Sequence, residues 1–375
     1  MNAKELLNLL KPMKSLKNTN MHILDNMLIE RGESTSFFAT DLSNQVCAKV
    51  MNTGDDVIGK FIVHKDRFLD ILYRLSNEKV DAFKFVQKCS NAIEVHGVRL
   101  QYQLKTINPD DYPTMPKLHN NQDFDIAIDR ESFMQAYQRA RPFTGTKHCS
   151  IGLPWVVIDI AESAIYTTNG HVLAKCKFNR SGGSQHNTEN SGGILVVSTQ
   201  SMDMICNNVN TKRTNDDIYI KLLDNNNIQF SVIEEELNII TKNENLDYPD
   251  LESLVPKNKE LQYCIKLNRQ EMLKAIRNVA MFKPDLTLSC VIKAKHHQER
   301  YIIEASNDTG YAKDEIKILS NKTDLEADMM FAVHYLETIL KSLSEEEICW
   351  SLQQNAKQSH VFQDNHSLFV IMPLF

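Results

Sequence analysis

The sequence lacks any apolar run long enough to cross a membrane, and its eight cysteines include no CxxC pair. A transmembrane helix needs about 20 consecutive apolar residues, so no membrane span is expected. The opening MNAKELLNLLKPMKSLKN has only a short apolar run followed by several lysines, which is unlike a signal peptide. Scattered thiols without ligand spacing are typical of reduced, mostly buried cysteines. These absences predict a cytoplasmic protein.

Signatures of catalysis and of metal binding are also missing. The sequence contains no GxxxxGKS/T, HExxH or GxSxG motif. The adjacent His296 and His297 would point apart on a strand or turn, and no further Cys or His stands at ligand spacing. The sequence therefore predicts no catalytic residue, no cofactor and no metal site. An α+β enzyme with a dispersed site stays an alternative, which tight Mg²⁺ or nucleotide binding would favour.

The overall charge is acidic, because 42 Lys and Arg stand against 48 Asp and Glu, a net charge of -6. The total alone argues against a nucleic-acid partner, and there is no basic tail, RNP aromatic pattern or zinc-finger spacing. A total conceals how the charge is distributed, however. The chain is 42% hydrophobic, which is enough for packed cores in the two to three domains expected of 375 residues.

A strand–Arg–helix pattern occurs at least twice. It reads FDIAIDRESFMQAYQRA at 124–140 and YCIKLNRQEMLKAIRNVA at 263–280, with Arg130 and Arg269 in matching positions. The opening KELLNLLKPMKSLK is typical of the same helix with its leading strand shortened. Repetition on this scale indicates repeated structural units rather than one large domain.

A second repeated pattern places a short apolar strand before a helix, at 61–72, 194–205 and 330–340. Two units also close on a Tyr-Pro pair followed by a polar linker, at 112–113 and 248–249. The three sets predict three domains, with bounds near 1–122, 123–258 and 259–375.

The stretches between the helices show period-two alternation with Asn, Asp and Gly at the turns, which predicts hairpin-linked strands. The predicted fold class is α+β, with two helices packed on antiparallel sheet in each domain, because the βαβ rhythm of a parallel sheet is absent. The segment at 181–193 has the composition of a flexible, exposed loop.

Positive charge is concentrated on the predicted helices, while the rest of the chain is strongly acidic. At 269–283, for example, the apolar stripe contains Met272, Ile276 and Val279, whereas Lys274 and Arg277 fall on the opposite side. Basic outer faces on an acidic body indicate a surface for a polyanion, since sequence-independent phosphate binding needs only diffuse cations. Ordinary solvated surface charge is the alternative.

Four segments carry a family resemblance: ATDLSNQVCAKV (39–50), TTNGHVLAKC (167–176), YPDLESLVPKN (248–258) and the C-terminal FVIMPLF. In this order on a threefold repeat, they resemble the β sliding clamp, the bacterial DNA polymerase III beta subunit, over the whole chain. The resemblance implies a non-catalytic, cytoplasmic, nucleoid-associated protein without a cofactor. It implies three repeated DNA-clamp domains per subunit and a head-to-tail homodimer closed into a ring.

The resemblance also implies the partners. Double-stranded DNA would pass through the ring without sequence preference, and a clamp-loader ATPase would open the ring to load it. The replicative DNA polymerase and other proteins with a clamp-binding motif would be tethered to it. A closed ring cannot dissociate sideways, so weak contacts suffice to keep the polymerase at high effective concentration.

The family's peptide-binding pocket maps onto residues of the second domain, the linker and the tail. These residues are Ile151, Thr168, Gly170, His171, Leu173, Pro249, Leu254, Val370, Met372, Pro373 and Leu374. Apolar walls would receive peptide side chains, and His171 with backbone groups would fix orientation. The alternative is that NGH only makes a hairpin turn and MPLF only ends an edge strand. Ser253 and Phe375 stand where the family often has basic or polar residues, so peptide preference is expected to differ.

The DNA-binding surface implied by the resemblance is a diffuse set of cations. We predict Lys11, Lys14, Lys17, Arg67, Arg74, Lys147, Lys274 and Arg277. The correspondence is incomplete, because Asn18 occupies a basic position of the family and the family's cations are absent at 198–200.

The dimer interface is expected to join the first domain of one subunit to the third domain of the other. Tyr102 and Leu104 fall on the predicted edge strand of the first domain, and Met281 and Phe282 end the third-domain helix. Strand pairing there would close the ring and cover the exposed edges. Core packing of these four residues is the alternative. Two further alternatives for the whole chain are an interaction scaffold that does not encircle DNA, and a clamp of a mobile element or virus with its own polymerase.

Overall fold

The computed structural model describes most of the chain. The described residues are 2–17, 20–51, 59–78, 84–89, 92–118, 126–145, 154–181, 193–208, 217–223, 225–232, 236–244, 250–257, 259–282, 291–297, 300–321, 329–353, 355 and 357–374. The α-helices are α1 (Ala3–Leu10), α2 (Lys65–Asn77), α3 (Arg130–Ala140), α4 (Thr199–Asn208), α5 (Arg269–Val279) and α6 (Val333–Ser342). Short 3-10 helices lie at Lys11–Ser15, His22–Asp25, Pro109–Asp111, Arg141–Phe143, Glu252–Leu254 and Ala280–Phe282.

The β-strands follow one another along the whole chain. They are β1 (Asn26–Arg31), β2 (Ser34–Thr40), β3 (Asn44–Met51), β4 (Gly59–His64), β5 (Lys84–Cys89), β6 (Ala92–His96), β7 (Gln101–Lys105), β8 (Ile126–Asp129), β9 (Trp155–Asp159), β10 (Ala164–Thr168), β11 (Val172–Lys177), β12 (Ile194–Ser198), β13 (Asp217–Leu222), β14 (Asn227–Val232), β15 (Leu237–Lys242), β16 (Leu261–Asn268), β17 (Val291–His297), β18 (Arg300–Asn307), β19 (Gly310–Asn321), β20 (Met329–Ala332), β21 (Glu347–Gln353), β22 (His360–Gln363) and β23 (Ser367–Ile371).

The chain divides into two compact units. The first unit consists of Met1–Glu131, Arg180–Ser191 and Gln200–Glu244, and the second unit consists of Ser132–Asn179, Gly192–Thr199 and Asn245–Phe375. The first unit contains an eight-stranded sheet ordered β4-β1-β2-β3-β15-β14-β13-β8 and a three-stranded sheet ordered β5-β6-β7. In this unit α1 packs against α2.

The second unit contains a twelve-stranded sheet ordered β12-β9-β10-β11-β23-β22-β21-β16-β19-β18-β17-β20. In this unit α5 packs against α6 and against β19. The core includes Trp350, which is fully buried and donates its indole N–H to His360 Nδ1 at 3.0 Å.

The strand order repeats along the chain. The block β4-β1-β2-β3 has counterparts in β12-β9-β10-β11 and β20-β17-β18-β19, and in each a helix follows the outer strand, namely α2, α4 or α6. The blocks β8-β13-β14-β15 and β16-β21-β22-β23 also match each other, and β5-β6-β7 matches them without a leading strand. These strand orders confirm the predicted repeated α+β architecture with antiparallel pairing.

The predicted domain bounds near 122 and 258 remain a prediction. The pairing of β3 with β15 joins strands from the first two predicted domains, and the pairing of β11 with β23 joins strands from the last two. Because these sheets are shared, compact clustering of the chain follows the sheets rather than the three sequence repeats.

The first predicted helix is shorter than the sequence pattern indicated. The side chain of Asn2 caps α1 by accepting the Lys4 N–H at 2.9 Å, and α1 ends at Leu10, before a 3-10 turn at Lys11–Ser15. Pro12 explains the change, since proline lacks an N–H and its ring clashes with the carbonyl four residues earlier. In α5 the predicted stripe of Met272, Ile276 and Val279 is buried, as expected.

The expectation of reduced thiols holds for some cysteines only. Cys47, Cys176 and Cys206 are free and buried, and burial raises the pKa of Cys47 and Cys176 to about 12. Cys264 and Cys349, in contrast, form a disulfide between β16 and β21 with their Cα atoms 6.3 Å apart. The sequence pattern missed this pair because it depends on strand register, which places Cys264 opposite Ser351 and Cys349 two positions away.

Within the described part of the chain, no helix is both long and apolar enough to cross a membrane. The same residues contain no cluster of three or more His, Cys, Asp or Glu that could hold a metal ion. The predicted loop at 181–193 lies outside the described residues except at its two ends.

Candidate functional site

Three adjacent strands of the second unit bring the predicted pocket residues into one row. Thr168 of β10 lies opposite Leu173 of β11, and Leu173 lies opposite Val370 of β23. Residues directly opposite each other on antiparallel strands share one face of the sheet. Leu173 and Val370 are buried and Thr168 is half-buried. We call these three predicted pocket residues the pocket row.

The hairpin turn between β10 and β11 places His171 at one end of the pocket row. Asn169 Oδ1 accepts the His171 N–H at 3.0 Å and the Val172 N–H at 2.9 Å. Gly170 has a φ of 85°, a left-handed conformation that other residues adopt only with strain. The NGH segment therefore does make a hairpin turn, and the same turn leaves the side chain of His171 exposed.

His171 is held from a second direction by α6. Its imidazole stacks on the ring of Tyr335, with centroids 5.4 Å apart and planes inclined by 29°. Its carbonyl accepts the Met372 N–H at 3.4 Å, which ties the C-terminal segment to the turn. Tyr335 was not predicted, because its sequence surroundings show only an amphipathic helix and give no sign of a partner so far away in the chain.

The C-terminal segment is anchored within the second unit. The Leu374 N–H donates to the Met330 carbonyl at 2.7 Å, and Pro373 is buried. Met372 is 51% exposed. The neighbours of Met372 are thus fixed while its side chain is open to solvent, and its contact with a partner stays a prediction.

The linker contributes both a buried and an exposed leucine. Leu251 is buried in a cluster that also contains Leu173, Val370 and Tyr166. Leu254, in the 3-10 helix Glu252–Leu254, is 54% exposed. Burial of Leu251 therefore fixes the linker on the same cluster as the pocket row, while Leu254 stays open. Of the remaining predicted pocket residues, Ile151 and Pro249 lie outside the described residues.

A polar network that the sequence patterns did not indicate adjoins the pocket row. The Tyr166 hydroxyl donates to Glu252, and Lys175 Nζ lies 2.7 Å from Glu252 Oε2 and 3.4 Å from Glu162 Oε2. Burial acts to raise the pKa of Glu252, but the hydrogen bonds from Lys175 and Tyr166 outweigh it and hold that pKa below its ordinary value. Burial, together with the Glu252 carboxylate, raises the pKa of Tyr166. Glu252 is therefore ionised and bound by internal partners at neutral pH.

The described predicted cations are exposed in each unit, and all but Lys17 lie on helices. In the first unit they are Lys11, Lys14, Lys17, Arg67 and Arg74, and in the second unit they are Lys274 and Arg277. Lys147 lies outside the described residues. Arg277 differs from the others because its Nε lies 2.9 Å from Glu337 Oε1, and Glu337 also pairs with Lys341. Its charge is thus partly neutralised within the subunit.

The predicted interface residues lie beside strand edges. Tyr102 and Leu104 are half-buried on β7, the outer strand of the three-stranded sheet. Residues 310–317 of β19 pair with β18 on one side, whereas β16 pairs only with the later part of β19. Met281 is 78% exposed, and the ring of half-buried Phe282 approaches the backbone at Gly310. Each unit therefore offers one strand edge with apolar side chains close to it.

Comparison with known proteins shows which sequences and structures this chain resembles. A sequence model described as the N-terminal domain of the DNA polymerase III beta subunit matches residues 2–116. Among solved structures, the fold resembles a DNA polymerase sliding clamp from Pseudomonas aeruginosa with ligand, with a TM-score of 0.84 at 18% identity, covering 100% of this chain and 98% of that one. It resembles the DNA polymerase sliding clamp from Bacillus subtilis with the same coverage, a TM-score of 0.83 and 17% identity. No curated protein matches in sequence.

Residues 2–116 match the N-terminal domain of the DNA polymerase III beta subunit, and the whole chain has the fold of the DNA polymerase sliding clamps. The sequence model identifies the first repeat, and the structures extend the fold to the whole chain.

One departure from the family pattern has a structural role of its own. At Ser253, where the sequence resemblance led us to expect a cation, the hydroxyl donates to the Asp250 carbonyl at 2.6 Å and the N–H donates to Asp250 Oδ1 at 3.3 Å. Ser253 therefore stabilises the turn of the linker and presents no charge to a partner. Phe375, the other departure at the pocket, lies outside the described residues.

Proposed function

We propose that this chain is a DNA sliding clamp, a ring-shaped processivity factor that encircles duplex DNA and tethers the replicative polymerase. The observation that carries the proposal is the likeness of the entire chain, at 100% coverage, to bacterial sliding clamps. The match of residues 2–116 to the family's N-terminal domain supports it independently.

The ring would be a head-to-tail homodimer. The β7 edge of one subunit, with Tyr102 and Leu104, would pair with the open part of β19 of the other, beside Met281 and Phe282. Two exposed edges would disappear in this way, which favours a closed assembly over aggregation. Each subunit would contribute three domains with bounds near 1–122, 123–258 and 259–375.

DNA would contact the basic helical surfaces by charge alone. Exposed lysines and arginines on α2, on α5 and on the 3-10 helix Lys11–Ser15 supply diffuse positive charge, although the chain as a whole is acidic. Such contacts bind phosphates without reading bases, so sliding is not opposed by sequence-specific binding.

Partners would bind through short peptides at the pocket row. Leu254, Met372 and His171 are exposed, and Leu173 and Val370 of the pocket row are buried and apolar, a combination that suits a linear peptide with apolar anchors. We propose that the replicative polymerase, the clamp-loader ATPase and other proteins with a clamp-binding motif share this pocket, and that the protein acts in the cytoplasm on the nucleoid. The catalytic and scaffold alternatives are not favoured, because neither accounts for the full-length likeness to clamps.

The test is retention on circular and on linearised DNA, loaded by the clamp loader of the same genome, with molar mass measured in parallel. We expect retention on circles, release after cutting, and a mass near twice 43.0 kDa. The variant Leu104→Asp places a charge at the proposed interface, so it should lose both the doubled mass and the retention. Equal, salt-sensitive binding of the unaltered protein to both DNA forms would overturn the ring proposal, since it indicates ordinary electrostatic association.

A further inference from the structure

A cavity of about 410 Å³ in the second unit adjoins the pocket row. Its lining includes three lysines, Lys175, Lys177 and Lys257, and two carboxylates, Glu252 and Asp364. We call it the lysine cavity. No part of the sequence reasoning pointed to it, because its walls come from β11, from the linker and from the segment before β23.

The lysine cavity is continuous with the peptide pocket along the strands. Tyr166, Lys175 and Leu368 lie opposite one another on β10, β11 and β23, two residues along from the pocket row. Residues two apart on a strand share a face and are separated by about 7 Å. Leu368 and Val255 line the cavity and also pack on the cluster that contains Leu173 and Val370. A peptide of a few extended residues anchored on the pocket row therefore reaches the cavity.

The two carboxylates of the cavity are already bound by the protein. Glu252 accepts hydrogen bonds from Lys175 and Tyr166. Asp364 accepts the backbone N–H groups of Ser344, His366 and Ser367. Burial acts to raise the pKa of Asp364, but these hydrogen bonds outweigh it and hold the pKa below its ordinary value. Both carboxylates are therefore held in their ionised form by hydrogen bonds within the protein.

The three lysines of the cavity differ in their ion pairing. Lys175 is paired with Glu252 and Glu162, and its side chain is 10% exposed. Lys177 and Lys257 are exposed, and neither forms an ion pair with a carboxylate in the described part of the chain. The ammonium groups of Lys177 and Lys257 are therefore open to solvent, although Lys177 also acts on the Glu252 carboxylate, and the three lysines of the lining exceed its two carboxylates by one positive charge.

We propose that the lysine cavity is a second subsite of the peptide pocket and binds an acidic residue next to the apolar anchor of a bound peptide. The inference rests on the proposed peptide-binding function and adds a charge preference to it. Acidic flanking residues would be recognised by Lys177 and Lys257, and Glu252 would set the strength of the preference by holding Lys175.

The test compares peptides that share a Leu-Leu-Phe core and differ in one flank. Fluorescein-labelled peptides would carry Asp-Asp or Asn-Asn on the N-terminal or the C-terminal side, and fluorescence anisotropy with the full-length protein would give each Kd. For one of the two flanks we expect the Asp-Asp peptide to bind roughly 3- to 10-fold more tightly at low salt, as two partly exposed ion pairs allow. The ratio should approach one at high salt, because screening weakens exposed pairs.

Three variants separate the cavity from general charge. Lys177→Gln combined with Lys257→Gln should bring the ratio of the Kd values of the Asn-Asn and Asp-Asp peptides to one. The Kd of the Asn-Asn peptide should not change. Lys242→Gln, an exposed lysine of the first unit, should leave the ratio intact. Glu252→Gln should increase the ratio, because it releases Lys175; an increase could not result from misfolding.

The outcomes distinguish failure of the acidic subsite from failure of the proposed peptide-binding function. Binding of both peptides with a ratio near one for either flank would overturn the acidic subsite and leave the peptide pocket standing. Absence of binding by either peptide would count against the pocket itself and remove the subsite with it. Displacement of the Asp-Asp peptide by millimolar inorganic phosphate, without displacement of the Asn-Asn peptide, would assign the cavity to free anions instead.

Discussion

His171 on the β10–β11 turn stacks against Tyr335 on α6, with ring centroids 5.4 Å apart. The two residues are far apart in the chain, yet the exposed His171 is oriented by this contact and by the hydrogen bonds of its own turn. Because Tyr335 orients His171, a predicted pocket residue, this contact leads to the first prediction.

Tyr335→Ala should weaken peptide binding, since His171 would lose the ring that orients it. An aromatic pair contributes about 0.5–1.5 kcal/mol beyond its buried area, so the Kd should rise roughly 2- to 10-fold. Tyr335→Phe keeps the ring and should bind as the unaltered protein does, which anisotropy with one labelled peptide would check. Equal weakening by both variants would mean that the hydroxyl, and not the stacking, matters.

Met372→Ala should weaken peptide binding without changing the stability of the fold. Met372 is 51% exposed, and substitutions at such surface positions usually alter the free energy of unfolding by at most about 0.5 kcal/mol. The matched control is Met51→Ala in the first unit, where the methionine is 62% exposed and far from any predicted pocket residue in the sequence. If Met51→Ala reduced peptide binding as much as Met372→Ala does, the tail would not form part of the pocket.

Glu252→Gln should lower the free energy of unfolding at neutral pH, and the difference should vanish on acidification. Because the pKa of Glu252 is lower in the folded protein than its ordinary value of 4.5, its carboxylate contributes stability above pH 4.5. That contribution is lost as the pH falls through the folded-state pKa. Since the side chain of Glu252 is 51% exposed, we expect no more than about 1 kcal/mol.

Urea unfolding at pH 7 and at pH 3 would measure this difference. Glu33→Gln, which removes an exposed carboxylate in the first unit, is the control and should show little change at either pH. A difference for Glu252→Gln that persists unchanged at pH 3 would show that packing of the side chain, rather than its charge, stabilises the linker.

Lys274→Gln should reduce DNA binding more than Arg277→Gln does. Both residues lie on the exposed face of α5, but Arg277 is already paired with Glu337, so it has less uncompensated charge to offer a phosphate. Removing one lysine–phosphate interaction should reduce the slope of log affinity against log salt by about 0.9. Titrations of both variants with duplex DNA at several salt concentrations would show it, and an equal change of slope would mean that the Arg277–Glu337 pair opens on DNA.

Much of the architecture could be predicted from local patterns. The strand–helix repeats around Arg130 and Arg269 and the alternating strands indicated an antiparallel α+β fold, and the apolar stripe of α5 was assigned correctly. Periodicity carries this information because side-chain spacing along a helix or strand determines which face can be buried. The end of α1 was misplaced, since Pro12 interrupts a pattern that otherwise continues.

The interactions that tune the candidate site depended on the tertiary structure. Tyr166 and Glu252 are 86 residues apart, and only the packing of the linker on β10 brings them together. Strand register likewise places Lys175 two positions from Leu173 on the same face and brings Cys264 to Cys349. The sequence by itself determined the repeats and the antiparallel strands, because these follow from short-range spacing, whereas the pocket residues were predicted only through the family resemblance. The tertiary structure alone decided that Tyr335 supports His171 and that lysines flank the pocket, because such interactions join segments whose pairing no local pattern encodes.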